Sequence, residues 1–173
     1  MIMSIDFYLK WDEYFEAQEF FRRYRYSIAP EKVIGGVLLT LSALWFFLDD
    51  LSLFSIIGLV AGLAIILAVP NLRRWASKRK WNREPLYQTQ HRVSFNEEGI
   101  YFLMGRIESN LDWNYYQRML ESPDGFLLIY GNDSFNFFPK RAFGGEDKIS
   151  SFRTLATSRL LQKLHTDNFL IYR

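Results

Sequence analysis

Hydrophobic positions along this chain change their spacing from region to region, and each spacing predicts an element. From Ser4 to Lys10 they alternate, with Ile5, Phe7 and Leu9 set against Asp6, Tyr8 and Lys10, which predicts a strand. From Asp12 the spacing widens to three or four through Tyr14, Phe15, Ala17 or Gln18, Phe21 and Tyr24. That pattern predicts an amphipathic helix over 12–29 with Asp12 as its N-cap. Periodicity then stops. Val33 to Val69 is apolar almost throughout and is broken only by Asp49 and Asp50 among ionisable groups. Beyond Tyr87, short runs separated by NEEG, Gly105, SPDG and GND predict six antiparallel strands: QHRVSF, IYFLM, RIESNLDW, YYQRMLE, FLLIY and SFNFFP. In RIESNLDW, Ile107, Ser109, Leu111 and Trp113 share one face, opposite Glu108, Asn110 and Asp112. A final stripe, Ile149, Phe152, Ala156, Leu160 and Leu164, predicts a helix over 146–165. Glu146 and Asp147 lie in its first turn and Lys163 and His165 in its last, as the helix dipole favours.

One helix from 33 to 69 would be about 55 Å long, against a bilayer hydrocarbon core of roughly 30 Å. It would also bury two carboxylates near mid-bilayer, at about 2.5–3.5 kcal/mol each. Split at Asp49-Asp50, the region becomes two spans of about 33–48 and 51–69, joined by a very short connection and therefore antiparallel. Tyr26, Ile28 and Ala29 can lengthen the first span, and Trp45, Phe46 and Phe47 suit an interfacial belt. Gly36, Thr40 and Ala43 on one helix and Ser55, Gly58 and Gly62 on the other are the small residues expected where the two pack. The Gly58/Gly62 pair is assigned to this packing rather than to dimerisation.

Charge then fixes an expected orientation. Net charge is only +2, too little to argue for nucleic acid. Yet Arg22, Arg23, Arg25 and Lys32 precede the apolar region, and Arg73, Arg74, Lys78, Arg79, Lys80 and Arg83 follow it. Glu31 is the one acid inside either cluster. Basic outer ends and an acidic tip place both termini in the cytoplasm, in a multi-pass inner-membrane protein. The six basic residues after the hairpin, with Trp75 and Trp81, are candidate contacts to lipid headgroups. The helix over 12–29 either lies along those headgroups or packs on the cytoplasmic domain. Because the apolar stretch starts more than thirty residues in, a cleaved signal peptide is not expected.

Composition excludes some chemistry. With no cysteine there are no disulfides, zinc thiolates or thiol catalysis. HExxH, GxSxG, P-loop and GxGxxG motifs are missing. His91 and His165 have no partner at ligand spacing, so neither a metal nor a cofactor is expected. Glu97-Glu98 reads as turn sequence, and Asn132-Asp133-Ser134 as an unmodified sequon on the cytoplasmic side. Lys140 and Arg141, at a strand-to-helix junction, either grip a phosphate or acidic partner or are simply solvated.

The expected organisation is a strand over 1–11, the helix over 12–29, a hairpin with basic flanks over 30–83, and a β domain with its terminal helix over 84–173. The strand Ile5–Leu9 is a candidate member of that domain's sheet. The β meander closes most economically as a small barrel or sandwich capped by the last helix, giving an α+β membrane protein. The strand ending LDW at Trp113 and the segment FNFFPKRAF over 135–143 resemble the YcxB-like family of small bacterial membrane proteins. That resemblance implies a cytoplasmic domain like a pleckstrin-homology (PH) domain and transfers no activity. The expected function is a membrane-tethered, non-enzymatic module that binds a protein partner or lipid. The alternative is a subunit of an oligomeric transport or channel assembly, with Asp49 and Asp50 at an entrance.

Overall fold

The computed structural model describes residues 3–26, 28–49, 53–132 and 134–170, with side chains left aside at 49 and 162–170. The chain divides into two compact units, Met1–Ala17 with Glu84–Arg173, and Gln18–Arg83.

In the first unit, β1 (Met3–Tyr8) pairs antiparallel with β2 (Gln90–Phe95), placing Ile5 opposite Val93 and Phe7 opposite His91. Strands β3 (Gly99–Met104) and β4 (Ile107–Asp112) complete a sheet of order β1-β2-β3-β4. A second sheet holds β5 (Arg118–Glu121), β6 (Gly125–Tyr130) and β7 (Ser134–Pro139) in sequence order. The two sheets are not joined into a closed barrel, which corrects the barrel alternative. The break lies between β4 and β5. Asp112 accepts a hydrogen bond from the Asn114 N–H and caps a 3-10 turn over Trp113–Tyr115, which ends the ladder. Trp113 is therefore outside the strand; its indole N–H donates to the Asn96 carbonyl at 2.8 Å, and the side chain is buried. Ile107, expected on the same face, is exposed.

The last helix, α4 (Glu146–Leu170), holds the two sheets together. Phe152 is fully buried, with ring centroids 4.7 Å from Phe95 of the first sheet and 4.9 Å from Phe126 of the second. It also lies 5.1 Å from Phe143, in the 3-10 turn Lys140–Phe143. Ile149, Ala156 and Leu160 extend this buried stripe as the spacing predicts, and Leu164 lies outside the described side chains. The helix runs on to Leu170, so Lys163 and His165 precede its last turn rather than forming it.

Helix α1 (Trp11–Arg25) begins in the first unit and ends in the second. Asp12 is not its N-cap. The helix starts one residue earlier, and Glu13 accepts from the Lys10 N–H at 3.0 Å, which occupies an otherwise unpaired donor.

The second unit is built on α2 (Pro30–Asp49) and α3 (Leu53–Arg83). Pro30 opens α2, where a missing N–H costs nothing. The Asp50 half of the acidic pair and Leu51, the expected start of the second span, lie outside the described residues. Beyond the apolar run, α3 continues unbroken through the basic segment. The two helices pack along Gly35, Leu39 and Ser42 against Gly58 and Gly62. A Cβ at Gly62 would sit 2.9 Å from both the Gly35 carbonyl and Leu39. The second helix uses the residues expected. The first does not, since a Cβ at Gly36 meets nothing within 4 Å, and Thr40 and Ala43 are exposed. Stripes 35/39/42 and 36/40/43 have identical spacing, so periodicity alone could not choose between them.

Candidate functional site

Both helices of the hairpin are long and apolar enough to cross a membrane, and only 17% and 11% of their most apolar windows are buried. Val37, Leu41, Phe47, Phe54, Val60 and Leu67 are all more than half exposed, and Phe47 reaches 83%. This band ends where α3 turns basic.

At that end, four charged side chains from three helices form one network. Arg22 of α1 contacts Glu19 at 2.7 Å and Glu31 of α2 at 3.6 Å. Arg73 of α3 reaches Glu31 at 2.8 Å and Glu19 at 3.3 Å. Glu31 is 7% exposed, so its charge persists only because two guanidinium groups neutralise it. Burial pushes the Glu19 carboxyl up, but hydrogen bonds from Arg22 and Arg73 outweigh it and hold the group below its usual range. Arg73, one of the six basic residues expected at headgroups, is thus committed to an internal ion pair. Glu31, standing alone among basic residues, was the sequence signal for this network.

Arg74, Lys78, Arg79, Lys80 and Arg83 are exposed, and the Arg79 guanidinium lies 5.3 Å from the ring of exposed Trp75. Arg73, Ser77 and Trp81, four residues apart, form the covered stripe of the same segment. On the last turn of α1, Arg23, Tyr24 and Arg25 are exposed as well, as is Tyr26 just beyond it.

At the junction after β7, both basic side chains are engaged in ion pairs. Lys140 bonds Glu121 at 2.8 Å, and Arg153 approaches the same carboxylate from α4 at 2.8 Å. The Arg153 hydrogen bond, with help from Lys140, outweighs burial and holds Glu121 down at about 2. Arg141 donates to the Tyr8 carbonyl at 2.6 Å and to Glu13 at 2.8 Å, so it ties the end of β1 and the start of α1 to the second sheet's exit.

An open groove of about 600 Å³ runs beside α4, lined by Met3, Glu97, Ser150, Thr154, Ser158 and Arg159. Glu97 is paired with Arg159 at 2.7 Å, and the Thr154 and Ser158 hydroxyls donate back to carbonyls of their own helix. His91 is buried beside Phe7 and donates to the Leu86 carbonyl; burial lowers its pKa against that bond's opposing effect. Among the described residues, no three His, Asp or Glu side chains come together as a metal cage. His165 and the sequon residue Asp133 lie outside the described side chains.

Comparison with known proteins is consistent with the resemblance drawn from LDW and FNFFPKRAF. The family model described as YcxB-like protein matches residues 95–156, which include both segments and leave the hairpin outside the match. No curated protein and no solved structure matches the chain. From the end of β2 to the middle of α4, then, the chain is similar to the YcxB-like family.

Proposed function

We propose that the protein is an integral membrane protein whose hairpin tethers a PH-like domain on the cytoplasmic side, where that domain acts as a non-enzymatic interaction module. The observation that carries the reading is the exposed apolar band on α2 and α3. In water, each such Leu, Val or Phe would forgo about 1.5–3 kcal/mol of burial, and a helical pair of this composition would aggregate. In a bilayer the same faces are satisfied. The seven antiparallel strands in two sheets and the helix packed across them support the PH-like reading. The outer edge of β4, which among the described residues pairs only with β3, and the groove beside α4 are surfaces such a module could offer a partner.

The chain lacks cysteine, so single-cysteine labelling gives a clean test. In intact cells, a membrane-impermeant thiol reagent should label Asp49→Cys, and should label Glu146→Cys only after permeabilisation. Label on Glu146→Cys in intact cells would reverse the orientation. Release of the protein from membranes by alkaline carbonate would defeat the membrane reading itself.

A further inference from the structure

We propose that the outer edge of β4 pairs antiparallel with β4 of a second copy of this chain, making a two-fold dimer with Ser109 on its axis. The inference rests on the interaction-module reading above and names that module's partner. It starts from the edge itself. β4 pairs with β3 in unbroken register along all six of its residues, and among the described residues no strand covers its other side. Sheet edges are commonly guarded by shortness, lysine, proline or a bulge. β5 is only four residues long, β7 ends in Pro139, and the end of β1 is held by Arg141 through the Tyr8 carbonyl. β4, with the sequence IESNLD, has none of these guards. Ile107, at its start, is 48% exposed although it shares a face with Leu111, which packs against the core. The strand's deterrents are its carboxylates, Glu108 and Asp112, and these select the register.

Two identical strands related by a two-fold axis normal to the sheet must set one residue opposite its own copy. Centring the pair on Ile107, Leu111 or Asp112 leaves at most three of the strand's residues paired. Centring on Glu108 sets two carboxylates face to face. Centring on Asn110 sets Glu108 against Asp112 of the second copy, twice, and like charges directly opposite are destabilising. Ser109 is the centre that avoids both faults. On the core-side face it brings Ile107 opposite Leu111 of the second copy. On the other face Glu108 meets Asn110, and Arg106, exposed at the hairpin turn, comes opposite exposed Asp112. Symmetry doubles every pair. The dimer therefore has two apolar contacts beside its axis, two opposite-charge pairs at its ends, and no like charges directly opposed.

The test uses the full chain, which carries no cysteine of its own, reconstituted in bilayers as single-cysteine variants and oxidised with copper phenanthroline. Directly opposite Cβ atoms lie about 4.5–5.5 Å apart, within reach of a disulfide after a small adjustment. Ser109→Cys should crosslink to its own copy. Ile107→Cys should not, because an offset of four residues puts it about 14 Å from its copy. Mixed with Leu111→Cys, it should crosslink. Sedimentation equilibrium in detergent then reads the dimer dissociation constant. Ile107→Lys places a charge where a single copy is half exposed, so it should keep the near-UV spectrum. It should still weaken the dimer about tenfold or more, since the change counts twice across the axis. Arg106→Glu should weaken it similarly. Adding Asp112→Asn, which keeps an oxygen for the Asn114 N–H, should restore most of that loss. Self-crosslinking that is strongest at Ile107→Cys, or a dimer that Ile107→Lys leaves unchanged, would overturn the proposal. A chain that stays in the membrane through alkaline carbonate yet remains monomeric sinks this inference alone and leaves the module open to another partner. Release by carbonate defeats the tether instead, and the same crosslinks, read on the released protein, still decide the pairing.

Discussion

Truncating Phe152 to alanine removes the side chain on which both sheets converge. The ring is wholly inaccessible to solvent and lies 4.7–6.0 Å from four others, Phe95, Phe126, Phe143 and Phe138. Loss of a buried Phe costs about 3–5 kcal/mol through lost transfer energy and the cavity left behind. Each ring pair adds about 0.5–1.5 kcal/mol beyond area, which places this site at the upper end of that range. A domain of this size is stable by about 5–15 kcal/mol, so the variant forfeits a third or more. With each kcal/mol worth about 4–8 °C, the transition should fall by about 15–30 °C. The assay is near-UV circular dichroism of the full chain in detergent, where the aromatic core dominates the signal. Phe152→Leu, which keeps most of the volume, should cost about 1–2 kcal/mol. Phe47→Ala, on the exposed face of α2, should leave this transition in place. A shift under about 5 °C for Phe152→Ala would show that α4 does not hold the sheets together.

Two further perturbations test other parts of the fold. Glu121 titrates near 2 in the folded chain against an ordinary 4.5, so the stability it contributes is complete above about pH 4.5 and disappears as pH falls toward 2. Its side chain is about one-third exposed, which discounts the contribution to about 1–2 kcal/mol; acid melts of wild type and Glu121→Gln should converge across that window, and parallel curves would refute the pairing. In the hairpin, Gly62→Val drives a branched side chain into the Gly35 carbonyl and should cost about 1–3 kcal/mol, seen as faster backbone hydrogen exchange in α2. Gly36→Ala points into open space and should be neutral or stabilising by about 0.5–1 kcal/mol; the reverse ranking would mean that the contact face is wrongly assigned.

What the sequence revealed and what it hid follow from the range of the forces involved. Strands β2 to β7, the core stripe of α4 and the existence of the two apolar helices were legible, because periodicity and turn residues act over a few positions. The contact face of α2 was not, since two stripes one residue apart carry the same spacing. The pairing of Arg141 with Glu13 and Tyr8 joins residues more than a hundred positions apart, and no local pattern encodes it. Six basic residues after the hairpin looked equivalent in sequence. The fold separates Arg73, locked between two carboxylates, from the five exposed residues that follow it. The gap between the sheets had a local cause in Asp112, whose carboxylate caps a turn that strand alternation had carried straight through.

The pairing of β1 with β2 also sets an order of events. Residues 3–8 are synthesised before the hairpin, and their partners at 90–95 follow only after the whole hairpin has been made. Joining the two across about 80 unstructured residues would carry a closure entropy of about 4 kcal/mol. If the hairpin inserts as proposed, most of that cost is removed, because insertion would return the chain to the side it left while Arg73 and Glu19 fix α1 to α3. On the proposed membrane reading, the first sheet is completed late, and a defect in hairpin insertion should register as misfolding of the two-sheet unit.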